Sequence, residues 1–134
     1  MSHQQQTVDW NKLVSNGPYP LEAFNFVREG LSYTAHKVHA DLDSLPESER
    51  HVTGQQLCLG LRDFAIERYG LLAPVVFEHW NIRRTDDFGR IVFRMIEEGL
   101  MSKTPEDSLD DFRAVYDFDE AFSREELLSR LVAS

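Results

Sequence analysis

Met95-Ile96-Glu97-Glu98-Gly99-Leu100-Met101 has the form of a helix end that runs through Gly-Leu into a strand. Glycine is the residue of choice where a helix closes in the left-handed conformation, and an apolar residue after it can fold back on the last turn. Upstream, Phe88, Val92, Met95 and Ile96 make an apolar stripe at helical spacing, widened by Ile91 and Phe93. Thr85-Asp86-Asp87 reads as the start of that helix, with Thr85 as cap and two carboxylates complementing the helix dipole. Downstream, Leu100-Met101-Ser102-Lys103 and Phe112–Phe118, with the β-prone Val115 and Tyr116, read as two short strands around a polar tip. Residues 100–103 are predicted to pair antiparallel with residues 113–117, and a helical turn is placed after Thr104-Pro105.

Working outward, Thr53-Gly54-Gln55-Gln56 is a capping box, in which hydroxyl and amide side chains each satisfy a free backbone N–H. Leu57, Leu61, Phe64, Ala65 and Tyr69 then mark one face of a helix over 54–69, with Gly70 just past its end. Pro74 opens a helix of about two turns that stops near Asn81. Toward the N-terminus, Phe24, Val27, Leu31, Ala35, Val38, Leu42 and Leu45 recur in steps of three and four, which predicts a long helix over 20–42. Residues 43–50 read as a loop. Residues 1–18 lack periodicity and form a polar arm in which Trp10, Leu13 and Val14 could dock on the body. Ser123-Arg124-Glu125-Glu126 is a second capping box and opens a last helix carrying Leu127, Leu128, Leu131 and Val132. Phe24, Val27, Leu31, Leu57, Leu61, Phe64, Val92, Met95 and Ile96 are the predicted core.

The sequence is therefore mainly α. Its element order from residue 53 is helix, short helix, helix, Gly-Leu and hairpin, a winged-helix-like core of three helices plus a small β-hairpin, with an added long N-terminal helix. The arm over 1–18 precedes a single helical domain over 19–134.

Tyr19-Pro20-Leu21-Glu22-Ala23-Phe24, His51–Cys58, Asp87-Phe88-Gly89-Arg90-Ile91-Val92-Phe93, Leu100–Thr104 and Tyr116–Phe122 together resemble a bacterial protein family largely confined to planctomycetes and verrucomicrobia. The resemblance covers residues 19–122. That family has no assigned activity, so the resemblance implies a bacterial cytoplasmic setting and carries no catalytic residue across.

The chain has 134 residues, 14 basic and 23 acidic side chains, and a formal net charge of −9. A surface of that sign repels phosphate and lowers the expectation of nucleic acid or an anionic membrane as partner. A lone cysteine, Cys58, excludes an intramolecular disulfide framework. No run of 18 apolar residues and no signal peptide is evident, which leads to the expectation of a soluble, cytoplasmic protein. No GxGxxG, GxSxG, HExxH or CxxC motif and no phosphate-binding glycine loop occurs. No cofactor is expected.

Candidate site residues are few. His36 and His39, three apart, could face one ion with Asp41 or Asp43 nearby, but two surface histidines bracketing Val38 satisfy the same pattern. Cys58 reads as a buried structural thiol. Arg83, Arg84, Arg90 and Arg94 are the only basic concentration and the candidate contact for a partner or a phosphate. Carboxylates at Asp86, Asp87, Glu97 and Glu98 accompany them, and residues 101–134 carry four basic and nine acidic groups. Pairing on a solvated helix face is the plainer reading. Phe26, Phe93 and Trp80 fall off the main stripes and could mark either an interface or added core. The leading expectation is a non-enzymatic protein-interaction or self-association module. The alternative is a winged-helix nucleic-acid-binding protein, and a small metal-dependent enzyme built on His36, His39 and Asp41 comes third.

Overall fold

The computed structural model describes residues 1–3, 9–15, 17–46 and 49–133. The Gln-rich part of the arm, Asn16 of the Asn16-Gly17-Pro18 cluster and residues 47–48 of the 43–50 loop lie outside the described residues. In chain order the elements are β1 (Ser2–His3), α1 (Trp10–Val14), α2 (Leu21–Val38), α3 (Gly54–Tyr69), α4 (Ala73–His79), α5 (Thr85–Glu97), β2 (Met101–Ser102), α6 (Phe118–Ala121) and α7 (Arg124–Ala133). Short 3-10 turns occupy Leu42–Ser44, Gly70–Leu72 and Leu109–Phe112. The chain is mainly α, and its described residues include a small two-stranded antiparallel sheet.

Local chemistry accounts for most of these boundaries. The Thr53 hydroxyl accepts from Gln56 N at 3.1 Å and the Gln56 side chain accepts from Thr53 N at 2.9 Å, so both limbs of the capping box of α3 form. Gly99 has φ +77°, and the closing bonds Gly99 N to Ile96 O (3.0 Å) and Leu100 N to Met95 O (2.9 Å) end the α5 segment in a Schellman motif. Leu100 folds back and is buried, as its sequence predicts. The box at α7 forms in half: Ser123 Oγ accepts from Glu126 N, but the Glu126 carboxylate is turned toward Arg130. Helix α2 stops earlier than its apolar pattern suggests. His39 leaves the helix with ψ +94° and its ring bonds the His51 carbonyl, so Leu42 reaches the core from a 3-10 turn.

The predicted core is present. Phe24, Val27, Leu31, Leu57, Leu61, Val92 and Met95 are buried in one cluster, with Phe64 and Ile96 partly buried against it. Helices α2 and α3 form its main contact, and they approach through glycines. A Cβ on Gly60 would lie 1.9 Å from Thr34 Oγ1, and one on Gly30 would lie 2.2 Å from Leu61 Cδ2. The off-stripe aromatics belong to the interior. Phe26 packs against Phe64, Tyr69, Phe77 and Trp80, and Phe93 meets Phe112 edge-on at 6.4 Å.

The expected hairpin is corrected. Residues 100–103 do not pair with 113–117; Met101–Ser102 pairs with Ser2–His3, in the register Ser2 with Ser102 and His3 with Met101. Two features compete for the wing. The strand edge of β2 is taken by the N-terminus, and Met1 is itself fully buried, exchanging backbone bonds with Val52. The second half of the presumed wing is held by Phe112, fully buried on Gly89, which forces residues 109–112 into a 3-10 turn. Within the arm, Leu13 is buried and Trp10 and Val14 pack on the core. Arg94 adds a bond to the Lys12 carbonyl at 2.6 Å.

Candidate functional site

Four arginines were singled out from the sequence, and the structure divides them. The division begins at Asp87, a nearly buried carboxylate in the first turn of α5. Its Oδ2 accepts from the backbone N–H groups of Arg83 (2.7 Å) and Arg84 (3.1 Å), so Asp87 rather than Thr85 caps α5. Its Oδ1 accepts from the Tyr19 hydroxyl (2.5 Å) and from Arg90 (2.7 Å). Burial and the bond to Asp87 push the Tyr19 phenol up to about 12. Arg90 is therefore a satisfied structural partner. Arg94 is another: its guanidinium meets Glu97 at 3.1 Å and Glu98 at 3.2 Å.

Thr85 faces inward instead of capping. Fully buried, its hydroxyl donates to the Phe112 carbonyl at 2.6 Å and accepts from Val115 N at 3.1 Å. Asp86 Oδ1 accepts from Ala114 N at 3.3 Å. These bonds lock the segment after the Leu109–Phe112 turn to the start of α5. Ala114 sits at φ +47°, a left-handed conformation that a residue with a Cβ adopts at a cost.

Between the two locked segments lies an open cleft of about 500 Å³. Arg83, Arg84 and Asp86 line one side; Arg113, Ala114, Tyr116 and the start of α6 line the other. The chain has eleven arginines. Among the described residues, the guanidinium groups of Arg83, Arg84, Arg113 and Arg124 make no ion pair, side-chain hydrogen bond or ring contact. Three of those four line this one cleft. The sequence singles out Arg83 and Arg84, whereas Arg113 stands only among the four basic groups of residues 101–134, because the segment around it reads as a strand of the expected hairpin.

The remaining candidates do not converge. The His36 ring bonds the Ser32 carbonyl within its own helix, and the His39 ring bonds the His51 carbonyl. Among the described residues no group of three His, Cys, Asp or Glu side chains is placed to hold a metal ion. Cys58 is fully buried, and that burial pushes its thiol far above the usual range, leaving little thiolate for chemistry.

No protein family, curated protein or solved structure matches the chain.

A feature absent from the sequence reading is an exposed apolar platform. Leu71, Leu72 and Val75 are 44%, 62% and 49% exposed, and Leu131 and Val132 are 41% and 82% exposed. The two groups are neighbours, since α7 packs on the Gly70–Leu72 turn and Leu131 lies over Gly70. The sequence of α7 groups Leu127, Leu128, Leu131 and Val132 without ranking them; only the packing shows that Leu127 takes the buried position. No described helix is long and apolar enough to cross a membrane.

Proposed function

We propose that this protein is a non-enzymatic interaction module of the bacterial cytoplasm, which takes an amphipathic segment of a protein partner on the platform of Leu71, Leu72, Val75, Leu131 and Val132. The observation that carries this reading is the clustering of these exposed apolar side chains on adjacent elements. Single exposed apolar residues are ordinary, whereas a contiguous group marks a contact surface. Acidic side chains near the platform support a partner with basic margins. Exposed Glu78 stands one turn beyond Val75 on α4, and exposed Glu125 stands one turn before Leu128 on α7. A partner helix with an apolar stripe and Lys or Arg at its margins matches that surface, and complementary charge would set its orientation and speed its encounter. The net charge of −9 works against a second copy of the chain as occupant. The pairing of Arg90 and Arg94 with carboxylates likewise weakens the nucleic-acid alternative.

The test is binding of two labelled amphipathic peptides with the same leucine stripe, one flanked by lysines and one by glutamates. The lysine-flanked peptide should bind more tightly, and Leu72→Ser/Val132→Ser should abolish binding while leaving the denaturation midpoint nearly unchanged. Equal affinity for both peptides, or a stable dimer in sedimentation that the same substitutions dissolve, would refute the choice of partner.

A further inference from the structure

We infer that the cleft between the start of α5 and the start of α6 is a binding site for a small phosphorylated polyol, the chemistry shared by sugar phosphates and nucleotides. The inference stands apart from the platform and does not depend on it. Arg83, Arg84 and Arg113 line the cleft, and among the described residues no carboxylate pairs with any of them. That is unusual in a chain whose acidic groups outnumber its basic ones by 23 to 14, and in which five other arginines are ion-paired among the described residues. Guanidinium is the group that best matches an oxyanion, through parallel N–H donors. A single carboxylate offers two oxygens and is satisfied by one or two such forks. Three guanidinium groups match the larger acceptor set of a phosphate.

The same cleft is lined by Asp86, Asp117 and Asp119. Carboxylates beside an anion site repel a simple anion, so inorganic phosphate alone is a poor fit. They are acceptors for hydroxyl donors, however, and Asp119 is exposed with no side-chain bond among the described residues. One ligand class uses both sets: an oxyanion for the arginines attached to a body rich in O–H groups for the aspartates. Tyr116 and Phe118 complete the wall, stacked on each other at 5.9 Å, and give an apolar border against which a sugar face or a base could rest. The volume of about 500 Å³ suits a ligand of that size. The walls are also fixed in advance. The buried Thr85 hydroxyl and the Asp86 carboxylate hold residues 112–115 against α5, and Ala114 keeps its left-handed backbone on the cleft surface. Strained residues held by their surroundings gather at ligand sites.

Titration calorimetry of the whole chain with ribose 5-phosphate, adenosine 5′-monophosphate, ribose and inorganic phosphate tests the proposal. Either phosphorylated polyol should bind saturably, while ribose and inorganic phosphate should bind at least about tenfold more weakly. Tighter binding of the nucleotide than of ribose 5-phosphate would assign the natural source to nucleotides, and the reverse to sugar phosphates. Arg84→Ala and Arg113→Ala should each weaken binding by about tenfold or more, the loss of a charge-assisted bond. Asp119→Asn should weaken ribose 5-phosphate and leave inorganic phosphate unchanged. These residues are exposed, so an unchanged denaturation midpoint will show that each variant is folded. Absence of saturable binding, inorganic phosphate binding as tightly as ribose 5-phosphate, or affinity indifferent to Arg84→Ala and Arg113→Ala would overturn the proposal.

Discussion

The hydroxyl of Tyr19 donates to Asp87 Oδ1 across 68 residues of sequence, at 2.5 Å. The bond fastens the segment entering α2 to the first turn of α5, and it is a bond that only the protonated phenol can donate. The folded state therefore holds the Tyr19 proton up to about pH 12, whereas the unfolded chain releases it near 10. Above pH 10 the unfolded state binds fewer protons than the folded one, so stability falls as pH rises through that window. Denaturation midpoints at pH 9 and pH 11 should fall further in the wild type than in Tyr19→Phe, which has no proton to lose.

Thr85→Val keeps the shape of the side chain and removes the hydroxyl. The Phe112 carbonyl and the Val115 N–H each lose a partner in a part of the structure where Thr85 itself is fully buried. Leaving such groups unsatisfied costs about 1–3 kcal/mol. Chemical denaturation should show a loss in that range, and a neutral result would contradict the part assigned to the Thr85 hydroxyl.

Gly60→Ala should destabilise by about 1–3 kcal/mol, the usual cost of overpacking. Its Cβ would sit 1.9 Å from Thr34 Oγ1 and 2.7 Å from Thr34 Cβ. Thr34→Ala in the same chain should restore only part of the loss, because the Thr34 Cβ remains. A denaturation series of the two single variants and the double variant measures this directly.

Leu61→Ala removes a fully buried side chain at the crossing of α2 and α3. The expected cost is about 2–5 kcal/mol, transfer plus residual cavity. A denaturation midpoint equal to that of the wild type would contradict the position of Leu61 in the core.

Generic duplex DNA should bind weakly. Arg90 and Arg94 would have to give up Asp87, Glu97 and Glu98 to meet phosphates. Those carboxylates also lie well within a Debye length of about 8 Å from the same contacts. Fluorescence anisotropy with a random duplex at about 150 mM salt should show no submicromolar dissociation constant. Tight binding lost in Arg90→Ala/Arg94→Ala would restore the nucleic-acid alternative.

The helices were legible because their signals are local. The Thr53 box, the Gly99 closure and the stripe from Phe88 to Ile96 each act within a few residues, and all three stand in the structure. The strand pairing was not legible for the opposite reason. Val115 and Tyr116 have the side chains of a strand, but Phe112 is drawn into a pocket made by Gly89, more than twenty residues earlier, and the following residues go with it. Asp87 reads as a dipole charge and is a buried junction in the structure, because Tyr19, 68 residues away, meets it only in the fold. Of the basic group, Arg90 and Arg94 stand at helical pairing distance from Asp87, Glu97 and Glu98, and that local part of the division is legible. That Arg83 and Arg84 are left without an ion pair among the described residues shows only in the fold, where Asp86 is bonded to Ala114 N and Asp87 to Tyr19, Arg90 and the backbone.

The pairing of Ser2–His3 with Met101–Ser102 also orders events in time. Closing a loop of that length costs roughly 4 kcal/mol of chain entropy, and two strand residues on each side offset it only once the helices between them have shortened the gap. On the ribosome, Ser2 is made 100 residues before its partner Ser102 and must wait for it to emerge before β1 finds its place. Until then Met1 and the edge of β1 are exposed, so a chain stalled before Met101 should be the form most open to proteases and to pairing with other chains.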